Sequence, residues 1–243
     1  MGIEKWPLPQ NMIIPPREEK LKKEIARLKE RPAIREAYRL LEEKLPEKYA
    51  DGLPYHGVSH TDDVMHEALR FASFYDEGTL PKHDRELLGI AAAFHDTGFI
   101  EQYDENEEIG ANLAEKHMKE LGYSEHNISR VKRAILGTRV GFKDGKFVQL
   151  LEDKDVIAQI LADADIANLG RNDFFEKEKD IFRERVLVGK AKHTSEEREK
   201  SKEIALIMLS THEWQSEPGR VFLGEKQKEN AEKLSKELEK EAA

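Results

Sequence analysis

Apolar residues recur every three or four positions along most of the chain, and short stretches rich in Pro and Gly separate these runs. Such spacing is typical of amphipathic helices, because positions three and four apart share one helix face. Leu21, Ile25 and Leu28 show it near the N-terminus. Helices are predicted on this basis in EEKLKKEIARLKER, AIREAYRLLEEKL, HTDDVMHEALRFASFYD, DRELLGIAAAFHD, NEEIGANLAEKHMKELG, SEHNISRVKRAILGT, DVIAQILADADIANLG, NDFFEKEKDIFRERV, SEEREKSKEIALIMLST and GEKQKENAEKLSKELEKEAA.

One stretch follows a different pattern. RVGFKDGKFVQL has short apolar segments on either side of Asp144-Gly145, a dipeptide that favours a tight hairpin turn. A loop is predicted in PEKYADGLPYHGVS, where Pro46 and the residues after it interrupt the helical pattern. The predicted fold class is therefore all-α, with one small β-hairpin near residues 139–150.

The N-terminal residues stand apart from the rest. Four of the nine prolines fall within residues 1–16, which predicts an extended arm there. No stretch between residues 17 and 223 has the composition of a domain linker. We therefore predict a single all-α domain over residues 17–243.

Composition narrows the classes of function. The chain has 243 residues, a formal net charge of −9 and no Cys, which argues against duplex nucleic acid as a partner and excludes disulfides and thiolate chemistry. No run approaches the roughly 20 apolar residues of a membrane span. The first residues lack the pattern of a signal peptide. The expectation is a soluble, cytoplasmic protein without a membrane partner.

Side chains able to bind metal occur where apolar helices begin or end. His95 and Asp96 close the apolar run AAAFHD, and His60 opens another helix. Asp163 and Asp165 lie in ILADADIANLG. Unpaired charge is costly to bury, and helical bundles can build metal sites from facing side chains. Imidazole and carboxylate together would suit Mn, Fe, Co, Ni, Zn or Mg. The alternative is a neutral core His with a capping Asp.

Three motifs in order, YHGVSHTDDV, AAAFHDTGF and LADADIANLG, resemble those of the HD-domain metal-dependent phosphohydrolases, a superfamily of all-α proteins. The first is also similar to the YHN-x-x-H-x-x-x-V stretch of the cyclic-nucleotide phosphodiesterase branch. The resemblance runs from about Tyr55 to Gly170. It implies an HD-type helical bundle whose metal-site core covers about residues 55–170, followed by C-terminal helices over 171–243.

The resemblance also implies roles for individual residues. Metal ligation falls on four of them: His60, His95, Asp96 and Asp165. One tightly bound divalent ion is expected, and a second is possible. Asp96 would also orient the attacking water or bridge two ions, and His56 would be the proton donor. Asp163 is the alternative to Asp165 as the ligand, and it would otherwise cap a helix or support the site from behind the ligands.

One position departs from the pattern. Many bacterial relatives have His-Glu shortly after the HD pair, and that His can hold a second metal. Here the matching position is Asn106. A second ion would then depend mainly on Asp96 and water.

The implied function is hydrolysis of a phosphate ester or anhydride, with a metal-activated water as the nucleophile and a small, nucleotide-like compound as the substrate. Candidate phosphate contacts are Arg139, Lys143 and Arg171. One alternative is a cyclic-nucleotide phosphodiesterase. Another is a metal- or nucleotide-binding regulatory protein without turnover. A homo-oligomer is possible, with the charged C-terminal helix packing against a second subunit.

Overall fold

The computed structural model describes residues 18–50, 52–151 and 155–241. The predicted arm over residues 1–16 lies outside these ranges. Within them the chain forms ten α-helices and one two-stranded antiparallel sheet. The prediction of an all-α fold with a small hairpin is confirmed. No helix in the described ranges is both long and apolar enough to cross a membrane.

The helices are numbered in chain order. They are α1 Glu18–Lys29, α2 Pro32–Lys48, α3 Val58–Ala72, α4 Lys82–Phe94, α5 Asn106–Glu120, α6 Glu125–Leu136, α7 Val156–Asp165, α8 Phe174–Leu187, α9 Ser195–Thr211 and α10 Glu217–Glu241. Two short 3₁₀ helices, Thr97–Ile100 and Ala167–Gly170, follow α4 and α7. The strands are β1 Val140–Lys143 and β2 Lys146–Gln149.

The hairpin closes where the sequence predicts. Val140 pairs with Gln149, and Lys143 pairs with Lys146. Asp144 and Gly145 form the turn, with φ of 52° and 75°. Both central residues of a type I′ turn need positive φ, which Asp and Gly tolerate.

The predicted start of the loop at Pro46 is wrong, because α2 continues through Pro46 to Lys48. A proline within a helix removes one backbone donor. Pro46 lies in the last turn, so few residues follow that must stay helical. The amide of Tyr49 donates to Leu45 O at 2.9 Å and closes the helix.

The last two turns of α4 run through the centre of the molecule. Every residue from Leu87 to Phe94 is buried. The helix packs against α2, α3, α5, α6 and α7, which explains why its sequence is apolar on all sides. Its C-terminus therefore delivers His95 to the interior.

Helix α5 lies directly against the turn that follows α4. A Cβ atom on Gly98 would stand 1.8 Å from the backbone oxygen of Asn106, and one on Gly110 would stand 2.5 Å from Phe94 O. No residue other than Gly fits at either contact. The start of α5 is thereby held beside Asp96.

The C-terminal helix packs within the chain. Leu223 and Leu234 on α10 are buried. Asn230 donates to Leu169 O at 3.0 Å and to Arg171 O at 2.9 Å. These contacts tie α10 to the segment after α7. The predicted single domain over 17–243 and the predicted homo-oligomer stay predictions.

Candidate metal centre

Three helix ends bring the predicted ligands together. His60 lies in the first turn of α3, His95 directly follows α4, and Asp165 is the last residue of α7. Each of these helices packs against the other two. Residues 35 to 105 positions apart in the chain therefore meet at one point, together with Asp96.

The separations within this cluster are uniform. His60 Nε2 lies 3.1 Å from Asp165 Oδ1 and 3.4 Å from Asp96 Oδ2. His95 Nε2 lies 3.1 Å from Asp96 Oδ2 and 3.4 Å from Asp165 Oδ1. Ligand atoms held at about 2.1 Å around one ion lie roughly 3.0–3.4 Å apart. The four side chains thus have the spacing of ligands to a single ion.

Unsatisfied polar atoms point to the same conclusion. His95 Nε2 and Asp96 Oδ2 are buried without a hydrogen-bond partner among the described residues. The Nδ1–H of His95 donates to Ala92 O at 2.8 Å, so Nε2 is the ring nitrogen that faces the cluster and can bind a metal. These four residues fit a divalent ion in both donor type and arrangement.

His56 lies beside the cluster on the loop before α3. One ligand-capable atom from each of His56, His60 and Asp96 lies within 4.8 Å of the others. The ring of Phe99 stacks on that of His56, with centroids 4.4 Å apart. The imidazole is thus held in a fixed orientation next to the predicted ligands.

A buried carboxylate holds His56 from behind. Glu184 on α8 is fully buried and contacts His56 Nδ1. It also accepts from the backbone amides of Tyr55 and His56, at 2.9 and 2.8 Å, and from the hydroxyl of Tyr103 at 2.9 Å. With Nδ1–H donated to Glu184, Nε2 is the nitrogen left to exchange a proton.

The surroundings of His56 favour its protonated form. Burial lowers the pKa of the imidazole, but the charge of Asp96 and the hydrogen bond that the ring donates to Glu184 raise it, and the net pKa is above the usual value. A His with a raised pKa can carry a proton at neutral pH.

Asp163 does not face the cluster. Its carboxylate accepts from the amides of Gln215 and Ser216, at 2.8 and 2.7 Å, and from the Ser216 hydroxyl at 2.6 Å. These donors lie just before α10. Asp163 and Asp165 are therefore separated by function as well as position, because Asp163 holds the start of α10 and Asp165 faces His60.

The three candidate phosphate contacts lie in different settings. Arg171 pairs with Asp173 and lies 3.5 Å from Asp63, in a small cavity also lined by His60 and Asp165. Lys143 is exposed at the end of β1, and its ammonium makes no hydrogen bond or ion pair with a described residue. Arg139 precedes β1, near the start of α5.

Two polar side chains at the start of α5 lie close to the cluster. Asn106 is 7% exposed, and its Oδ1 has no hydrogen-bond partner among the described residues. Burial raises the pKa of Glu107, and Asp96 and Asp165 raise it further, although Arg139 opposes them. The first turn of α5 thus lies within the electrostatic field of the cluster.

A second His-Asp pair in the sequence has a structural task. Arg130 on α6 forms a bidentate pair with Asp84, at 2.9 and 2.8 Å, and also binds Asp155. Asp84 lies in the first turn of α4, where this ion pair holds it. The environment and not the dipeptide distinguishes His83-Asp84 from His95-Asp96.

The sequence analysis missed Glu184, Tyr103 and Glu107. Glu184 lies in FFEKEKDIFRERVL, a helix with several Glu residues and no motif to separate one from another. Glu107 could have been noticed, because it follows Asn106 as Glu follows His in the relatives. Nothing local to Tyr103 indicates its contact with α8.

Residues 57–167 match the family model described as HD domain. The match contains the four clustered residues and ends before α8. Residues 57–167 therefore carry an HD domain, as the motifs predicted. No curated protein and no solved structure matches the chain significantly.

Proposed function

We propose that this protein is a metal-dependent phosphohydrolase that cleaves a phosphate ester or anhydride of a small, nucleotide-like substrate. The observation that carries the proposal is the convergence of His60, His95, Asp96 and Asp165 with spacings of 3.1–3.4 Å. The HD domain supports the same chemistry. Two imidazoles and two carboxylates do not select one divalent metal over the others.

The residues at the centre have different proposed roles in the reaction. A divalent ion held by the four ligands would neutralise phosphate charge and lower the pKa of water to as little as about 7. Asp96, a proposed ligand through Oδ2, would also orient the attacking water. The buried apolar surroundings strengthen these electrostatic interactions.

The leaving oxygen needs a proton, and His56 is the proposed donor. Glu184 accepts from Nδ1 and favours the imidazolium, whose Nε2–H is then available to the leaving group. Phe99 restricts the ring to one orientation. His56 would therefore be ready for proton transfer before the substrate binds.

A second candidate, a cyclic-nucleotide phosphodiesterase, is favoured by one observation. In YHGVSH, His60 belongs to the cluster and His56 lies next to it, with the two ring centroids 5.5 Å apart, as the resemblance to that branch implies. A regulatory protein without turnover is less well supported, because the proposed donor and its supporting carboxylate are both in place.

Elemental analysis together with a turnover assay tests the proposal. Purified protein should hold about one divalent ion per chain and should hydrolyse p-nitrophenyl phosphate or bis(p-nitrophenyl) phosphate when Mn is supplied. His60→Ala should lose both metal and activity. Metal bound equally by the wild type and His60→Ala, or bound metal without turnover of either ester, would contradict it.

A further inference from the structure

A small cavity between α3, α7 and α8 reaches the proposed metal centre from one side. Two proposed ligands, His60 and Asp165, line it together with Asp63, Arg171 and Lys177. The last three side chains are between 22% and 36% exposed, whereas those of His60 and Asp165 are 4% and 16% exposed. The charged trio therefore forms the outer rim, and the ligands form the floor.

The cavity is closed to anything much larger than water. Its volume is about 10 Å³, which holds about one water molecule and no phosphate group. A molecule can contact His60 and Asp165 from this side only after side chains of the rim have moved. The interactions that hold the rim therefore decide what enters.

One carboxylate oxygen holds both cations of the rim. Asp63 Oδ2 lies 2.9 Å from Lys177 Nζ and 3.5 Å from Arg171 Nη2. Asp63 belongs to α3 and Lys177 to the first turn of α8, so their ion pair joins opposite sides of the cavity. Asp63 thus closes the opening through its pairing with the two cations.

The ion pair between Asp63 and Lys177 is of a kind that exchanges easily. Both side chains are partly exposed, and such pairs add little net stability, because water screens them and two flexible side chains are ordered. Among the described residues, Asp63 is the carboxylate within ion-pair distance of Lys177. An oxyanion at the cavity therefore competes with Asp63 for the same ammonium.

The charges at the rim balance while Asp63 is paired. Arg171 also binds Asp173, to which its Nε donates at 2.9 Å, so two cations face two carboxylates. An approaching anion meets no net positive charge from these four side chains. Moving Asp63 away frees the ammonium of Lys177 for that anion.

We propose that Asp63 is an internal competitor for an oxyanion that binds in this cavity, an inference that rests on the proposed function. Without the anion, Asp63 holds Lys177 and Arg171 across the opening. An oxyanion that reaches the metal centre takes Lys177 from Asp63 and breaks the ion pair that closes the cavity. The carboxylate of Asp63 thus weakens anion binding, and the ammonium of Lys177 strengthens it.

Titration with inorganic phosphate in the presence of Mn tests the role of Asp63. Asp63→Asn should bind phosphate about 3- to 10-fold more tightly than the wild type, at unchanged metal content and unchanged circular dichroism. Asp62→Asn is the matched control, because it removes the same charge from the next residue, which contacts Lys29 and Tyr38 instead. Its phosphate affinity should stay within about twofold of the wild type.

A double-mutant cycle tests whether Asp63 acts through Lys177. Lys177→Gln should bind phosphate about 3- to 10-fold more weakly, whereas Lys179→Gln, at an exposed position on the same helix, should bind it as the wild type does. The gain from Asp63→Asn should shrink when Lys177 is already Gln, because the group for which Asp63 competes is gone. A purely structural role of Asp63 would not produce this dependence.

Several outcomes would overturn the inference. They are equal phosphate affinity of Asp63→Asn and wild type, equal gains from Asp63→Asn and Asp62→Asn, loss of Mn from Asp63→Asn, and phosphate binding by none of the proteins. A wild type that holds no metal and hydrolyses neither ester would instead count against the proposed function. A gain for Asp63→Asn measured in the presence of a chelator would still support the competition at Lys177.

Discussion

Two buried histidines show how surroundings decide the chemistry of a residue. Burial disfavours charge on both His95 and His212. Asp96 and Asp165 face His95 and raise its pKa well above the usual value, so a cation is favoured there. His212 packs against Trp214 and Phe147, and no carboxylate compensates its burial. The surrounding carboxylates therefore favour a cation at His95, whereas burial favours the neutral ring at His212.

The support of His56 by Glu184 leads to a prediction about leaving groups. Glu184→Gln should retain metal but lower turnover of an alkyl phosphate by roughly 10- to 100-fold, because the donor loses the group that orients and charges it. His56→Ala should also retain metal and lose roughly 10²- to 10⁴-fold. Both losses should be smaller for a nitrophenyl ester, whose leaving group departs without a proton.

Steady-state kinetics on the two esters, with metal content measured in parallel, check this prediction. Glu184→Asp should restore part of the activity, since a carboxylate remains. Equal losses on both esters would count against proton donation by His56. Loss of metal from His56→Ala would make His56 a ligand instead.

Because His212 is buried, the free energy of unfolding should depend on pH in a specific way. Burial lowers its pKa to about 4, whereas an unfolded His titrates near 6.5. The unfolded state thus binds a proton that the folded state refuses, so stability falls as pH falls from about 6.5 to about 4. His212→Leu should remove this contribution. The free energy of unfolding of the variant minus that of the wild type should therefore rise by about 3 kcal/mol as pH falls from about 6.5 to about 4.

Denaturant unfolding of both proteins at a series of pH values measures this difference. Because each value is a difference between variant and wild type, the other titrating groups cancel, including Asp163, whose pKa burial raises to about 6. His126→Leu, at an exposed position, is the matched control for replacing a histidine with leucine. A flat difference for His212→Leu would show that His212 is accessible to protons in the folded state.

At the scale of elements, the helix ends carry the side chains of the proposed metal centre. The starts and ends of α3, α4 and α7 carry the proposed ligands, and the segment before α10 is held by a carboxylate of α7. Some ends are capped locally. Thr194 accepts from the amide of Glu197 at the start of α9, and Ser124 from that of Asn127 at the start of α6.

Asp163 and Asp165 lie two residues apart in α7 but contact different parts of the molecule. Asp163 contacts the segment before α10, and Asp165 contacts His60. Asp163→Ala should destabilise the fold by about 2–5 kcal/mol, because it leaves the amides of Gln215 and Ser216 unpaired, while the metal content of the folded protein stays the same. Asp165→Ala should lower metal affinity without releasing α10.

Chemical unfolding and elemental analysis of the two variants separate these effects. Asp163→Asn keeps one acceptor and should fall between wild type and Asp163→Ala in stability. Metal lost from Asp163→Ala at a temperature where it remains folded would mean that Asp163 supports the centre after all.

For the whole molecule, a shared ion would couple α3, α4 and α7, which carry the proposed ligands. Removing it leaves two carboxylates and two imidazoles crowded in an apolar interior, which is unfavourable. Divalent metal at 100 to 1,000 times its dissociation constant should add about 3–4 kcal/mol to stability. For a chain of this size, that corresponds to a rise in Tm of roughly 6–16 °C.

Thermal unfolding with Mn and with a chelator measures the coupling. His60→Ala is the control, since its Tm should respond little to either addition. An equal response of His60→Ala and wild type would place the ion elsewhere on the protein.

Much of this architecture was predictable because it depends on local chemistry. Apolar periodicity indicated the helices, and Asp144-Gly145 indicated the hairpin turn. His60, His95 and Asp165 could be named because each lies at the end of an apolar helix within a motif. The end of α2 was misplaced because the effect of Pro46 depends on its position within the helix.

Only the tertiary structure decided which polar groups meet. Glu184 lies 128 residues from His56, and no periodicity in α8 distinguishes it from the other acidic residues there. The separation of Asp163 from Asp165, and the pairing of Asp63 with Lys177, likewise follow from how helices face one another. A sequence pattern specifies which face of a helix is buried, but the partner of a buried charge is set by packing between distant elements, where each charge needs a specific opposite group.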